Sequence, residues 1–188
     1  MSAPRRSTQS LALDIAAAQG KGHVPFLRRQ LRAAHAILRP PLVELSVALV
    51  RDRRMADLHE QFMGIPGPTD VLTFPLDEDA RGNVTAGEVV VCVPETRRQA
   101  KANGIGVERE LLLYALHGML HLCGYDDRTT AAFRTMHATE DRILTQLGVG
   151  PVFDHGRPSA AAPPRSRKRS KARTTNRARK ANRATGAH

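Results

Sequence analysis

Residues 117–127, which read HGMLHLCGYDD, carry the side chains best suited to chemistry. His117 and His121 stand four residues apart in an apolar, helix-forming run, so both imidazoles leave the same face of a helix. Gly124 allows a sharp turn, and Asp127 follows ten residues after His117. Two helical histidines and a third donor beyond a glycine turn can hold zinc and leave a fourth position for water. The spacing therefore predicts a metallohydrolase, in which the metal turns that water into a nucleophile.

One class of zinc proteases has the same ligand spacing but also needs a glutamate that this chain lacks. Metzincin-type proteases read HExxHxxGxxH, and the glutamate after the first histidine is their general base. Here that position is Gly118, which has no side chain to accept a proton. The ligand pattern is therefore kept while the base for peptide hydrolysis is missing.

The motif is similar to HGxLHLxGYDH, the signature of the YbeY family of bacterial zinc-dependent endoribonucleases. PTDVLTFPLD at 68–77 resembles the family's TDVLSFP strand, and GEVVVCVPETRRQA at 87–100 resembles its glycine–acid–strand–helix segment. The resemblance covers roughly residues 10–148. It implies a single-strand-specific endoribonuclease that acts in 16S rRNA 3′-end maturation and ribosome quality control. One zinc per chain would be bound by the matching residues His117, His121 and Asp127.

The resemblance also implies partners. These are rRNA and the small ribosomal subunit, with ribosomal proteins and a ribosome-assembly GTPase as further candidates.

Two positions depart from the family pattern. The family's third ligand is a histidine, whereas this chain has Asp127, and a carboxylate is an accepted zinc ligand. Asp127 could instead cap the helix that follows it. The family also has an arginine where this chain has Met63. The substitution removes a positive charge that is expected to bind the substrate or to take part in catalysis. The alternative function is therefore a ribosome-associated RNA-binding module with a structural zinc and little catalysis, and the sequence does not identify a general acid or base.

Other polar residues have ordinary structural interpretations. Asp126 is expected in the turn or hydrogen-bonded near a ligand, and Cys123 is expected to be a buried structural thiol. His137 is expected on the surface of the next helix. Asp70 is expected to brace its loop rather than act as a general base, and Glu88 is expected to be structural.

Charge is distributed unevenly along the 188 residues. The net charge is +11, yet residues 157–188 hold eleven Lys and Arg and no acid, so residues 1–156 are neutral overall. Basic runs bind phosphate backbones without sequence choice, which favours RNA contact by this tail over a merely solvated extension. Two cysteines, no export signal and no apolar run of membrane-spanning length favour a cytoplasmic protein without a membrane partner.

Hydrophobic periodicity predicts an α/β (α+β) fold, with helices packed on a single small mixed sheet and the ligand helix in the core. Strands are predicted at 11–16, 43–49, 71–74 (ended by Pro75) and 89–93. Helices are predicted at 24–38, 53–63, 94–103, 107–122 and 129–147. The predicted organisation is a flexible N-terminus at 1–9, a metallohydrolase domain at 10–155 and a disordered basic tail at 156–188.

Overall fold

The computed structural model describes residues 10–151, and within them it shows one four-stranded mixed sheet and five α-helices. The strands are β1 (Ala12–Ala17), β2 (Glu44–Val50), β3 (Val71–Glu78) and β4 (Val84–Cys92). Their order is β1-β2-β4-β3; β1, β2 and β4 are parallel, and β3 is antiparallel to β4. The helices are α1 (Val24–Leu38), α2 (Asp52–Met63), α3 (Val93–Ala102), α4 (Val107–Leu122) and α5 (Thr130–Gln146).

This architecture confirms the predicted fold class. The predicted flexible N-terminus at 1–9 and basic tail at 156–188 lie outside the described residues. Within residues 10–151, no helix combines the length and the apolar character needed to cross a membrane.

Helix α4, which carries the two predicted histidine ligands, lies in the core because it is apolar on nearly all sides. Ten of its sixteen residues are buried, among them Leu112, Leu116 and Leu120. A helix with this pattern must be covered all round, and α4 packs on β3 and β4 and against α1, α3 and α5. Its bounds are those predicted from the sequence.

Two glycines allow α4 to lie close to the sheet. Gly118 of α4 meets Val89 and Thr73, and Gly87 of β4 meets Leu122 at the end of the helix. A β-carbon at Gly87 would stand 2.6 Å from the Leu122 methyls, which is closer than real β-carbons approach. These contacts therefore set the separation between the helix and the sheet.

The strand β3 runs beyond its predicted end at Pro75 and continues to Glu78. β3 is an edge strand, and proline is tolerated there because one side of the strand has no partner. The register shifts on both sides of Asp77, which marks a bulge. β4 begins at Val84, earlier than predicted, because the longer β3 pairs with it as a hairpin.

Candidate metal centre

The C-terminal half of α4 and the turn after it bring three donor side chains together. The rings of His117 and His121 meet edge to face, and their Nε2 atoms are 3.0 Å apart. The chain turns at Gly124, whose φ of 86° lies in the left-handed region that glycine favours. Asp127 then returns with Oδ2 3.9 Å from Nε2 of His117. One ligand atom from each of the three predicted residues lies within 4.8 Å of the others.

The other ring nitrogen of each histidine is hydrogen-bonded to an oxygen acceptor. Nδ1 of His117 is 2.7 Å from Oε1 of Glu140, and Nδ1 of His121 is 3.0 Å from the carbonyl oxygen of Tyr125. Neither a carboxylate nor a carbonyl can donate, so both Nδ1 atoms carry the proton. In the neutral rings, both Nε2 lone pairs then face the region beside Asp127. Two imidazole nitrogens and a carboxylate form a donor set that suits zinc.

Burial and charge act on the pKa values of this cluster in different directions. Burial favours neutral His117, but the hydrogen bond and negative charge of Glu140 outweigh it and raise the pKa of His117. Burial lowers the pKa of His121, and the positive charge of protonated His117 lowers it further. Burial acts to raise the pKa of Glu140, yet the hydrogen bonds from His117 and His137 bring it below its ordinary value. Glu140 is therefore ionised at neutral pH.

Glu140 is a residue of this site that the sequence analysis missed. Its side chain is completely buried, and its two oxygens are hydrogen-bonded to two different histidines. The signal in the sequence is its spacing, because Glu140 follows Met136 by four residues and precedes Leu144 by four on the inward face of α5. A charged residue at an inward position needs a specific partner, so its place in that pattern points to a polar site.

His137 is buried, and the prediction of a surface histidine is wrong. It is 9% exposed. Its ring stacks beside that of His117, with centroids 6.2 Å apart and planes inclined by 22°, and it meets the Phe133 ring at 3.9 Å. The prediction failed because α5 folds back along α4, which brings a residue ten positions after Asp127 beside the first histidine.

The turn between α4 and α5 tests whether Asp127 caps the helix that follows it. Oδ1 of Asp126 accepts hydrogen bonds from the backbone N–H groups of Asp127 and Arg128, so Asp126 is the expected turn residue. Helix α5 is capped by Thr129, whose Oγ1 accepts a hydrogen bond of 3.1 Å from the Ala132 amide. The alternative in which Asp127 caps α5 is therefore wrong.

Three other residues lie outside the donor cluster. Cys123 is partly buried against the core rather than fully buried as predicted, and burial raises the pKa of its thiol to about 12, so the thiol is neutral. Asp70 accepts hydrogen bonds from the Thr69 hydroxyl at 3.0 Å and the Val71 amide at 2.8 Å, and these bonds brace the loop before β3. Glu88 lies within β4 and is partly buried.

Comparison with known proteins places the chain in a family. A protein-family model described as endoribonuclease YbeY matches residues 22–148. The endoribonuclease YbeY of Acidothermus cellulolyticus is 42% identical over 116 residues, which cover 56% of this chain and 71% of the relative. That of Thermobifida fusca is 43% identical over 111 residues, which cover 55% and 72%.

A solved structure is also similar to this chain. The solution structure of a Thermotoga maritima protein is similar with a TM-score of 0.51 at 29% identity, and the alignment covers 78% of this chain and 99% of that protein. The family match spans well over half of the 188 residues and includes every residue of the candidate metal centre. The chain therefore belongs to the YbeY family of endoribonucleases.

Proposed function

We propose that the chain is a zinc-dependent endoribonuclease that cleaves single-stranded RNA in 16S rRNA 3′-end maturation and in ribosome quality control. The observation that carries the proposal is the convergence of two imidazoles and a carboxylate in a member of an endoribonuclease family. His117, His121 and Asp127 are the proposed ligands. Three protein ligands leave a coordination position for water or a phosphate oxygen, which is the arrangement of catalytic rather than structural zinc sites.

When bound, the metal would supply Lewis-acid polarisation of the phosphodiester and a water of lowered pKa. The residues of the chain prepare the site for this role. Glu140 and the carbonyl of Tyr125 hold protons on the Nδ1 atoms of His117 and His121, so both Nε2 atoms remain available. Asp127 brings a negative charge where a third imidazole would be neutral, and so lowers the net charge of the loaded site by one unit.

Peptide hydrolysis fits the site less well than RNA hydrolysis. The position that carries the general base in metalloproteases is Gly118, and it is packed against Val89 and Thr73. No glutamate side chain could occupy that position without moving α4 from the sheet.

We further propose rRNA of the small ribosomal subunit as the substrate, with ribosomal proteins and a ribosome-assembly GTPase as candidate partners in the cytoplasm. Two observations support an RNA substrate: the family to which the chain belongs, and the eleven Lys and Arg of residues 157–188. Phosphate backbones attract such segments through counterion release.

A second candidate is an RNA-binding module whose metal is structural and whose catalysis is weak. Met63 favours it, because the resembling family has an arginine at this position. Met63 is the last residue of α2 and is 59% exposed, beside exposed Phe62. This surface therefore offers an apolar side chain where a cation would meet a phosphate.

One experiment separates the two candidates. Metal content and cleavage of a structured rRNA 3′-end fragment would be measured for the wild type, His121→Ala and Met63→Arg. We expect about one zinc per chain and single-strand cleavage in the wild type, with both reduced in His121→Ala. Zinc with RNA binding but no cleavage, and cleavage gained in Met63→Arg, would favour the second candidate. The proposal would be overturned if the wild type contained no metal and cleaved the fragment at the same rate as His121→Ala.

A further inference from the structure

A buried carboxylate on α5 joins two histidines, only one of which belongs to the proposed ligand set. Oε1 of Glu140 is 2.7 Å from Nδ1 of His117, and its Oε2 is 2.5 Å from Nδ1 of His137. The Glu140 side chain is completely buried. A buried carboxylate is costly unless donors satisfy its oxygens, and here the two imidazoles provide one donor to each oxygen.

His137 is held in place by its neighbours. Its ring stacks beside that of His117, inclined by 22°, and meets that of Phe133 edge to face at a centroid distance of 3.9 Å. Glu140 follows it by three residues, so both side chains leave the same face of α5. The ring of His137 is thus packed so that its Nδ1 points at the carboxylate.

We propose that His137 is a positioning residue for the metal centre and that it acts through Glu140 on His117. The bond from Nδ1 of His137 to Oε2 restrains the rotation of the carboxylate and leaves Oε1 directed at His117. Oε1 then keeps the proton of His117 on Nδ1, and Nε2 faces His121 and Asp127. The inference rests on the proposed metal site and explains how one of its ligands is oriented. Partners of this kind influence metal affinity although they do not touch the metal.

Two substitutions of His137 separate its hydrogen bond from its packing. His137→Asn keeps an N–H donor near the position of Nδ1 but removes the ring. His137→Phe keeps the ring against His117 and Phe133 but removes the donor. The matched control is His35→Phe, because His35 is also buried, at 8% exposure, and its Nε2 is bonded to the Leu42 carbonyl outside the metal centre.

Zinc affinity would be measured by chelator competition on the full chain, together with the absorption spectrum of the cobalt-substituted protein and thermal melts. We expect His137→Phe to weaken zinc binding by roughly 10- to 100-fold and to change the cobalt spectrum. His137→Asn should stay within about threefold of the wild type, since it retains the donor. His35→Phe should lower the melting temperature without changing zinc affinity, which is the signature of a purely structural role.

A further variant covers the case in which His137→Phe does not fold. Glu140→Gln replaces one of the two acceptor oxygens by an NH2 donor, so one of the two histidines loses the acceptor that it has in the wild type, and we expect this variant to weaken zinc binding as well. Wild-type zinc affinity in whichever of His137→Phe and Glu140→Gln folds, or equal losses in His137→Phe and His137→Asn, would overturn the inference. A wild type that binds no zinc would instead overturn the metal site itself, and the inference with it.

Discussion

Gly118 of α4 and Val89 of β4 are packed so closely that a β-carbon added to Gly118 would stand 2.6 Å from a Val89 methyl. The hydroxyl oxygen of Thr73 would be 3.0 Å from the same carbon. Real β-carbons do not approach side chains of a packed sheet to 2.6 Å, so the helix would have to move. Because His117 is the preceding residue, the contact fixes where the first proposed ligand lies.

Gly118→Ala should therefore destabilise the protein by about 1–3 kcal/mol, the usual cost of overpacking a core, and should lower its zinc content. Denaturant titration and metal analysis measure the two effects. Gly22→Ala is the matched control, because a β-carbon at Gly22 meets nothing within 4 Å. Adding Val89→Ala should recover part of the loss by making room. A Gly118→Ala protein with wild-type stability and zinc content would show that this contact does not position the helix.

Asp127→Ala should lower zinc affinity strongly and leave the stability of the metal-free protein nearly unchanged. It removes one of three proposed ligands, while Thr129 caps α5. Asp127→His should retain zinc, because the resembling family has histidine at this position. Thr129→Ala should give the reverse result: the free energy of unfolding falls by about 1 kcal/mol and the zinc content is unchanged. Zinc titrations and thermal melts of the three variants test this, and full zinc affinity in Asp127→Ala would exclude the ligand role.

Both thiols should resist modification in the native protein. Burial raises the pKa of Cys92 and that of Cys123 from 9.0 to about 12. The pKa of each thiol is therefore higher in the folded protein than in the unfolded chain. The contribution of the two thiols to the free energy of unfolding is complete below about pH 9 and is lost as the pH rises toward 12. We expect almost no reaction with a thiol reagent at pH 8 without denaturant, and reaction of both cysteines after unfolding.

Because both thiols have a raised pKa in the folded protein, we expect the free energy of unfolding to fall above about pH 9. Denaturant titrations at a series of pH values measure this fall, and the double variant Cys92→Ala with Cys123→Ala should show a smaller one. Rapid native labelling at pH 8, or an identical fall in the double variant, would contradict the assignment.

Deletion of residues 157–188 should weaken RNA binding and flatten its dependence on salt. These residues carry eleven Lys and Arg, and residues 1–156 have no net charge. Each phosphate contact adds to the slope of log K against log salt, so loss of the tail should reduce that slope. Filter-binding titrations at several salt concentrations measure it, with zinc content as the control that the remaining domain is intact. An unchanged slope would show that the tail does not bind RNA.

Local periodicity was enough to predict the ligand helix and the placement of its histidines. The apolar residues of α4 recur on all faces, so its range and buried position follow from the sequence. His117 and His121 are four residues apart, and this spacing alone puts both rings on one side. The turn at Gly124 was recognisable because a short polar segment with glycine breaks the helix.

The surroundings of the proposed ligands depend on contacts between elements that periodicity does not describe. The partnership of His117 with Glu140 requires that α5 return over α4, and the two residues are 23 positions apart. The burial of His137 also depends on the return of α5 over α4, so periodicity alone predicts a surface position for it. The extension of β3 past Pro75 depends on the edge position of that strand, which only the strand order reveals.

The proline and bulge in β3 also bear on how molecules of this protein behave at high concentration. The outer side of an edge strand offers free N–H and C=O groups to which a strand of another chain can be added, and this is a route to aggregation. Pro75 lacks an N–H, the bulge at Asp77 bends the strand, and Asp77 and Glu78 are exposed charges. Leu76, although 64% exposed, therefore lies on an edge that is poorly shaped for sheet extension by a second molecule.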